Sequence, residues 1–189
     1  MAITRARTSS VAQGPSTRKT VLGGNDVILG GSYDAIGVVD VGSTSVASIE
    51  FTSIPQGYKH LQIRVLQMTS GTTNPKFRVN GDSASNYNMH SIYNTNPGAA
   101  AYVEATTGIS YCYNETTAPG VSIIDLLDYS NTSKNKTFRM MTGYDNNGAG
   151  YLFYRSGLWR STNAVTSLTF NADSSNFLQY SQFALYGVK

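Results

Sequence analysis

The chain has 189 residues, a length that suits one large domain or one domain with a tail. Charged residues make up only 13% of it, and no apolar run is long enough to span a membrane or to form a secretory signal. The sequence therefore predicts a soluble chain without membrane insertion, and the single Cys112 excludes an internal disulfide.

The N-terminal segment differs from the rest in charge and pattern. Four of the fourteen basic residues precede the first acid of the chain, namely Arg5, Arg7, Arg18 and Lys19, which leaves ten basic and eleven acidic residues for the remainder. Residues 1–30 are rich in Ser, Thr, Gly and Arg, and such a segment buries too little to order itself. We predict an extended basic arm over 1–30, which either docks on a partner or stays a solvated leader. The roughly neutral domain over 31–189 gives no sign of specific nucleic-acid binding.

A two-residue alternation of apolar and polar side chains begins after this arm. Ile49 and Phe51 share one face of a strand, and Leu61, Ile63 and Val65 share one face of the next. His60, Gln62 and Arg64 are expected on the opposite face of that second strand. The turn-forming segment 54–57 joins the two strands, as a hairpin or as a crossover between two sheets.

Further strands follow at a spacing of roughly 10–15 residues, the spacing of all-β folds. They are predicted over 33–41, 76–79, 87–93, 109–114, 121–129, 137–144, 151–159, 165–170 and 183–188. Turn signals separate them, and Asn147-Gly148 is the strongest local prediction of a hairpin. About eleven short strands of this kind predict an all-β, antiparallel β-sandwich, jelly-roll-like in architecture.

Candidate catalytic groups are few. Only His60 and His90 can act as a base at neutral pH, and the strand pattern favours a surface or interface role for His60. Cys112 lies in an alternating segment typical of a buried thiol, and no nucleophile-elbow or phosphate-binding motif is present. Asp125 and Asp128 are a poor carboxylate pair, because residues three apart in a strand point to opposite faces.

Metal and cofactor sites are not indicated either. The segment Asp145-Asn-Asn-Gly148 lacks the spaced oxygen ligands of a calcium loop and favours a hairpin turn. The sequence thus predicts a protein that is not an enzyme and that uses no cofactor or metal.

Aromatic residues are the one abundant chemical resource, with thirteen Tyr, seven Phe and one Trp. The candidates for an exposed site are Tyr93, Tyr102, Tyr111, Tyr113 and Trp159, the four tyrosines being expected in or near loops. Such side chains bind sugars, but they also suit subunit interfaces, where Tyr supplies apolar area with a polar tip. The composition favours interfaces, with a glycan site as the alternative.

Several blocks of the chain resemble small virion proteins of tailed bacteriophages, including cyanophages. The main block is Ile49-Glu-Phe-Thr-Ser-Ile-Pro-Gln-Gly-Tyr-Lys-His-Leu-Gln-Ile-Arg64. The resemblance continues in register through 77–82, 86–87, 128–132, 136–139, 156–159 and 182–187, and so covers about Gly31 to Lys189.

The resemblance implies a location in the virion and a jelly-roll-like or related sandwich that assembles as a homo-oligomer, with a trimer favoured. Expected functions are a tail or neck fibre component, or a capsid decoration (cement) protein, held to other virion proteins by its N-terminal arm. Arg5, Arg7, Arg18 and Lys19 are the expected docking residues, because complementary charges steer encounter and fix register. The alternative is a tail module that recognises a glycan on the host surface.

Overall fold

The computed structural model describes residues 17–22, 25–94, 99–113 and 116–189, and their side chains except those of 17–30 and 99–104. Every regular element among the described residues is a β-strand. The fourteen strands are β1 (Thr17–Leu22), β2 (Asn25–Gly30), β3 (Tyr33–Asp40), β4 (Ser48–Phe51), β5 (His60–Gln67), β6 (Lys76–Val79), β7 (Tyr87–Asn94), β8 (Ala99–Thr106), β9 (Ile109–Ser110), β10 (Gly120–Leu127), β11 (Lys136–Asn146), β12 (Ala149–Trp159), β13 (Leu168–Asn171) and β14 (Gln182–Val188).

Two antiparallel sheets make up the main body. The large sheet has eight strands in the order β3-β14-β5-β10-β11-β12-β7-β8, and the small sheet has four in the order β4-β13-β6-β9. The predicted all-β antiparallel sandwich is therefore confirmed. The turn segment 54–57 proves to be a crossover between sheets, because β4 belongs to the small sheet and β5 to the large one.

Side-chain alternation determines which face of each strand meets the core. Leu61, Ile63 and Val65 of β5 are buried, whereas Arg64 on the opposite face is exposed, as the sequence predicts. Aromatic rings from both sheets meet between them: Phe77 of β6 packs 5.0 Å from Phe138 of β11, between ring centroids. Such contacts add packing energy to the burial of the rings and fix the sheets face to face.

The predicted Asn147-Gly148 hairpin is present between β11 and β12. Both turn residues have positive φ, 50° and 102°, which are the signs that a two-residue type I′ turn requires. The ladder closes on the pair Asn146 and Ala149 directly beside the turn. Local sequence chemistry thus fixes the register of the two longest strands.

The structure differs from the prediction in one additional strand and in the bounds of several others, such as the strand predicted over 165–170, which begins at Leu168. The strand β8 was not expected, because an alanine-rich segment has little β propensity. The strand predicted over 109–114 ends at Ser110, and the strand predicted over 121–129 ends at Leu127.

The predicted arm contains a hairpin rather than unpatterned chain alone. Strands β1 and β2 pair with each other, from Thr17 opposite Gly30 to Leu22 opposite Asn25, and they join neither of the other sheets. An isolated two-stranded hairpin is marginally stable in water at best. The remainder of 1–30 lies outside the described residues.

Candidate interaction surfaces

The outer face of the large sheet carries an unusual number of apolar side chains. One cross-strand row runs from Ile123 through Met141 and Tyr154 to Ile92, each opposite the next on the neighbouring strand. A second row places Leu66 opposite Val121, which is followed across Gly143 by Leu152. We call these seven apolar residues the outer patch: Leu66, Ile92, Val121, Ile123, Met141, Leu152 and Tyr154.

The outer patch is strongly exposed. Its side chains range from 36% exposed at Ile123 to 62% at Ile92, and they span five adjacent strands from β5 to β7. Scattered exposed apolar residues are normal, but contiguous ones mark a surface that meets another molecule.

Polar residues border the outer patch on one side. The next row along the strands places Gln62, Asp125 and Arg139 on three successive strands. The Gln62 amide donates to Asp125 Oδ1 at 2.9 Å and accepts a 2.9 Å bond from Arg64 Nε. The Arg64 guanidinium also lies 4.9 Å from the Tyr186 ring centroid. The border is therefore a fixed polar network, and its alignment beside an apolar centre is typical of an interface.

A second surface feature is an aromatic cluster beside the β11–β12 hairpin, on the inner side of the large sheet. The members of this cluster are Tyr93, Tyr113, Tyr144, Tyr151 and Phe153. The four tyrosines are half-buried, and Phe153 is buried. Tyr151 and Phe153 stack at 5.8 Å, Tyr93 stacks on Phe153 at 5.3 Å, and Tyr113 lies 5.2 Å from Tyr151.

A buried arginine supports this aromatic cluster from below. Arg155 is 1% exposed, and its guanidinium carbon lies 4.0 Å from the Phe153 ring centroid. Its Nη1 donates to the Ser110 carbonyl at 2.6 Å, which ties β12 to the end of β9. Phe153, on which Tyr93 and Tyr151 stack, is therefore held by a buried side chain that is bonded to β9. Such preorganisation reduces the entropy lost when a ligand or partner stacks on the rings.

The structure separates the five predicted aromatic candidates. Tyr93 and Tyr113 belong to the aromatic cluster, with Tyr93 in β7 rather than in a loop. Tyr102 lies in β8, and its side chain is outside the described part of the structure.

Tyr111 and Trp159 were wrong as candidates for an exposed site. Tyr111 is fully buried and donates to Gln67 Oε1 at 2.6 Å, and burial raises its pKa well above the ordinary value. Trp159 is 3% exposed and donates to Asp82 Oδ2. Each lies on an inward-facing position, where its polar atom is bonded inside the protein. Two half-buried members of the cluster, Tyr144 and Tyr151, were not among the predicted residues. Their signal in the sequence is their place opposite each other across the predicted hairpin.

The polar candidates are also placed. His60 Nδ1 accepts a 3.0 Å hydrogen bond from the Asp128 backbone N–H. Cys112 is buried, and burial raises the pKa of its thiol. Asp128 lies just beyond β10 rather than within a strand, and a hydrogen bond from Lys134 lowers the pKa of its carboxyl group. The described residues contain no group of three or more His, Cys, Asp or Glu side chains arranged to hold a metal ion.

The predicted docking residues of the arm fall in two groups. Arg5 and Arg7 lie outside the described residues. Arg18 and Lys19 lie in β1, opposite Leu29 and Ile28, and their side chains are outside the described part of the structure.

No helix among the described residues has the length and apolarity needed to cross a membrane. Comparisons of the chain with protein-family models, curated proteins and solved structures find no match. The resemblance to tailed-phage virion proteins therefore remains a prediction from the sequence.

Proposed function

We propose that the protein is a non-enzymatic structural subunit of a tailed-bacteriophage particle. In this proposal it forms an oligomeric surface appendage, either a tail or neck fibre component or a capsid decoration protein, and its N-terminal arm anchors it to other virion proteins. The outer patch carries the assembly part of the proposal, and the resemblance of segments such as 49–64 supports the phage particle as its location.

The size of the outer patch supports an assembly role. The exposed fractions of its seven residues add up to about three and a half complete residues, which amounts to several hundred Å² of contiguous surface. Soluble monomers rarely expose contiguous apolar patches larger than this. A surface of this extent is expected to be covered by protein in the functional state.

The arrangement of reactive side chains supports a non-enzymatic role. His60 uses one ring nitrogen to accept a backbone N–H, and the Cys112 thiol is buried with a raised pKa. Asp125 lies in the sheet, where it accepts a bond from Gln62. A nucleophile with a base at hydrogen-bond distance, which covalent catalysis needs, is not formed by these three groups.

Particle incorporation tests the proposed anchoring. We expect a full-length variant in which Arg5, Arg7, Arg18 and Lys19 are all changed to Gln to fold normally and to be depleted from purified particles. The matched control changes two exposed basic residues of the domain, Lys59 and Arg160, to Gln and is expected to join particles as the wild type does. Normal incorporation of the arm variant, or of a deletion of 1–30, would refute anchoring by the arm.

The aromatic cluster favours one alternative function, a glycan-recognition module of the tail. Half-buried tyrosine rings stacked on a buried phenylalanine offer the apolar faces and polar tips that suit packing against a sugar ring. Glycan-array binding that is lost in Tyr144→Ala and Tyr151→Ala, but kept in Tyr180→Ala, would support this alternative. Tyr180 is a suitable control because it is 81% exposed and is not a member of the cluster. Binding to none of the glycans by the wild type would contradict it.

A further inference from the structure

The outer patch has the features of a surface that meets a copy of itself. We infer that two copies of this chain pack face to face through the outer faces of their large sheets, about a two-fold axis. This inference rests on the proposed function as an assembly subunit, and it names the partner of the same surface. It replaces the trimer, favoured by the resemblance, with a pair as the basic unit.

The sequence of the central strands indicates that protein covers both faces of the large sheet. Strands that are exposed on one face alternate apolar and polar residues, whereas strands buried on both faces are continuous apolar runs. The alternation is interrupted by short segments that are apolar on both faces, namely Ile123-Ile124 in β10, Met140-Met141 in β11 and Tyr151 to Tyr154 in β12. Ile124 and Met140 are buried in the core, and the inner residues of the β12 run belong to the aromatic cluster. The other face of each run belongs to the outer patch.

The area suits a stable dimer. Two outer patches facing each other, together with their polar borders, bury several hundred Å² from each copy, which is the order of the roughly 800 Å² per partner in standard specific interfaces. Two twisted sheets pack readily in this way, about 10 Å apart and at roughly 30° to each other. No further partner is required to cover the patch.

The distribution of exposed apolar residues favours a two-fold contact over a cyclic one. A head-to-tail ring needs two different complementary surfaces, whereas a two-fold interface uses one surface twice. Among the described side chains, the other exposed large apolar ones are Tyr33, Val38 and Tyr180. Tyr33 and Val38 lie on the same outer face, opposite Val188 and Ala184 of β14, so only Tyr180 is elsewhere. Apart from the aromatic cluster, whose rings are half-buried or buried, the described surface therefore offers one extended, strongly exposed apolar area.

The charges along the border are compatible with self-association. Asp125 and Arg139 lie opposite each other on adjacent strands, and the chain beyond the basic arm has ten basic and ten acidic residues. A face that carries both signs close together can meet its own copy with Arg139 near the partner's Asp125. Repulsion between like charges therefore does not oppose the contact.

The mass of the full-length protein in solution tests the inference. Light scattering after size-exclusion chromatography is expected to give twice the chain mass of 20.4 kDa for the wild type over a dilution series. Leu152→Lys and Met141→Lys are expected to give the single-chain mass, because each places a charge inside the contact. Tyr180→Lys, an equally drastic change outside the patch, is expected to leave the pair intact. A wild type of single-chain mass at all concentrations, or patch variants with unchanged mass, overturns the inference.

A second measurement places no charge in the patch. Spin labels are attached to Met141→Cys, near the centre of the patch, or to Tyr180→Cys; Cys112 is buried and stays unlabelled. In the pair, the two labels at Met141 are expected to lie closer to each other than the two labels at Tyr180. Equal or longer separations at Met141 overturn the two-fold contact. Monomers in solution that still enter particles, and lose this ability with Leu152→Lys, would show that another virion protein covers the patch. That result would contradict the face-to-face pair and would still agree with the proposed function.

Discussion

The indole Nε1 of Trp159 donates a 2.7 Å hydrogen bond to Oδ2 of Asp82. Asp82 also accepts bonds of 2.9 Å from the Asn86 side chain and from the Ala84 backbone N–H. One carboxylate therefore joins the end of β12 to the turn after β6. It also satisfies a buried indole that would otherwise lack a partner.

Removal of this acceptor is expected to destabilise the protein. In Asp82→Ala the N–H of Trp159, which is 3% exposed, loses its partner, and an unsatisfied buried donor costs about 1–3 kcal/mol. The free energy of unfolding in urea, followed by the fluorescence of the single Trp, measures the loss. Asp145→Ala, at an exposed position in the β11–β12 hairpin, is the control and is expected to stay within about 0.5 kcal/mol of the wild type. Equal losses in the two variants would contradict this role of Asp82.

Low pH is expected to reduce the stability that Asp82 contributes. The hydrogen bond from Trp159 is the main cause that lowers the pKa of Asp82 below its ordinary value of 3.8. Because the folded pKa lies below the unfolded one, this stabilisation is complete above the unfolded value and is lost as the pH falls through the folded value. The unfolding free energy should therefore decrease below about pH 4, and the decrease should be smaller in Asp82→Asn. Parallel pH profiles of wild type and variant would show that Asp82 does not contribute.

Alkaline conditions are expected to act on Tyr87. Burial is the main cause that raises its pKa to about 12, and its hydroxyl donates to the Asp82 carbonyl while accepting the Val79 N–H. A raised folded pKa gives stability that is complete below the unfolded value of 10.0 and is lost as the pH rises towards 12. Unfolding free energies between these two pH values should fall less steeply in Tyr87→Phe than in the wild type. Tyr180→Phe should keep the wild-type slope, and a Tyr87→Phe slope equal to it would contradict the prediction.

The β11–β12 turn is expected to need its glycine. Gly148 has φ of 102°, a conformation that costs an L-residue about 1–2 kcal/mol. Gly148→Ala should lower the unfolding free energy by about that amount. Gly57→Ala is the matched control, because no atom lies within 4 Å of the added Cβ and its φ is not in this range. A control that loses as much stability as Gly148→Ala would argue against the backbone explanation.

Most of the sandwich was predictable because one face of each strand is buried. The strand over Lys76–Val79 matches its predicted bounds, and the positions of Leu61, Ile63 and Val65 in the core follow from the period of two. Turn chemistry identified the Asn147-Gly148 hairpin, since few residues accept positive φ at both positions. These are local properties, which a single sequence carries.

The hairpin in the arm had a signal that the prediction did not use. The sequence has Gly23-Gly24 between two short runs of β-prone residues, and this is a typical two-residue hairpin connection. By contrast, β8 has an alanine-rich start and forms by pairing with β7, so its existence depends on a neighbouring strand. Intrinsic propensity does not predict a strand of that kind.

The interaction surfaces depend on tertiary placement and were predicted only in part. Alternation cannot tell Tyr111, which faces the core, from Tyr113, which joins the half-buried cluster, because both lie just beyond the short strand β9. The outer patch forms only when five strands align, so no single segment reveals it. Its trace in the sequence is the apolar run, such as Met140-Met141, in which both faces of a strand are apolar.

The central claim is that this chain is an assembly subunit of a phage particle, and a cryo-electron microscopy reconstruction of purified particles tests it most directly. The account predicts ordered copies of the sandwich on the particle surface, with the outer patch around Met141 covered by another chain and residues 1–30 in contact with a neighbouring virion protein. Particles that lack this chain, or copies in which the outer patch faces solvent, would contradict it.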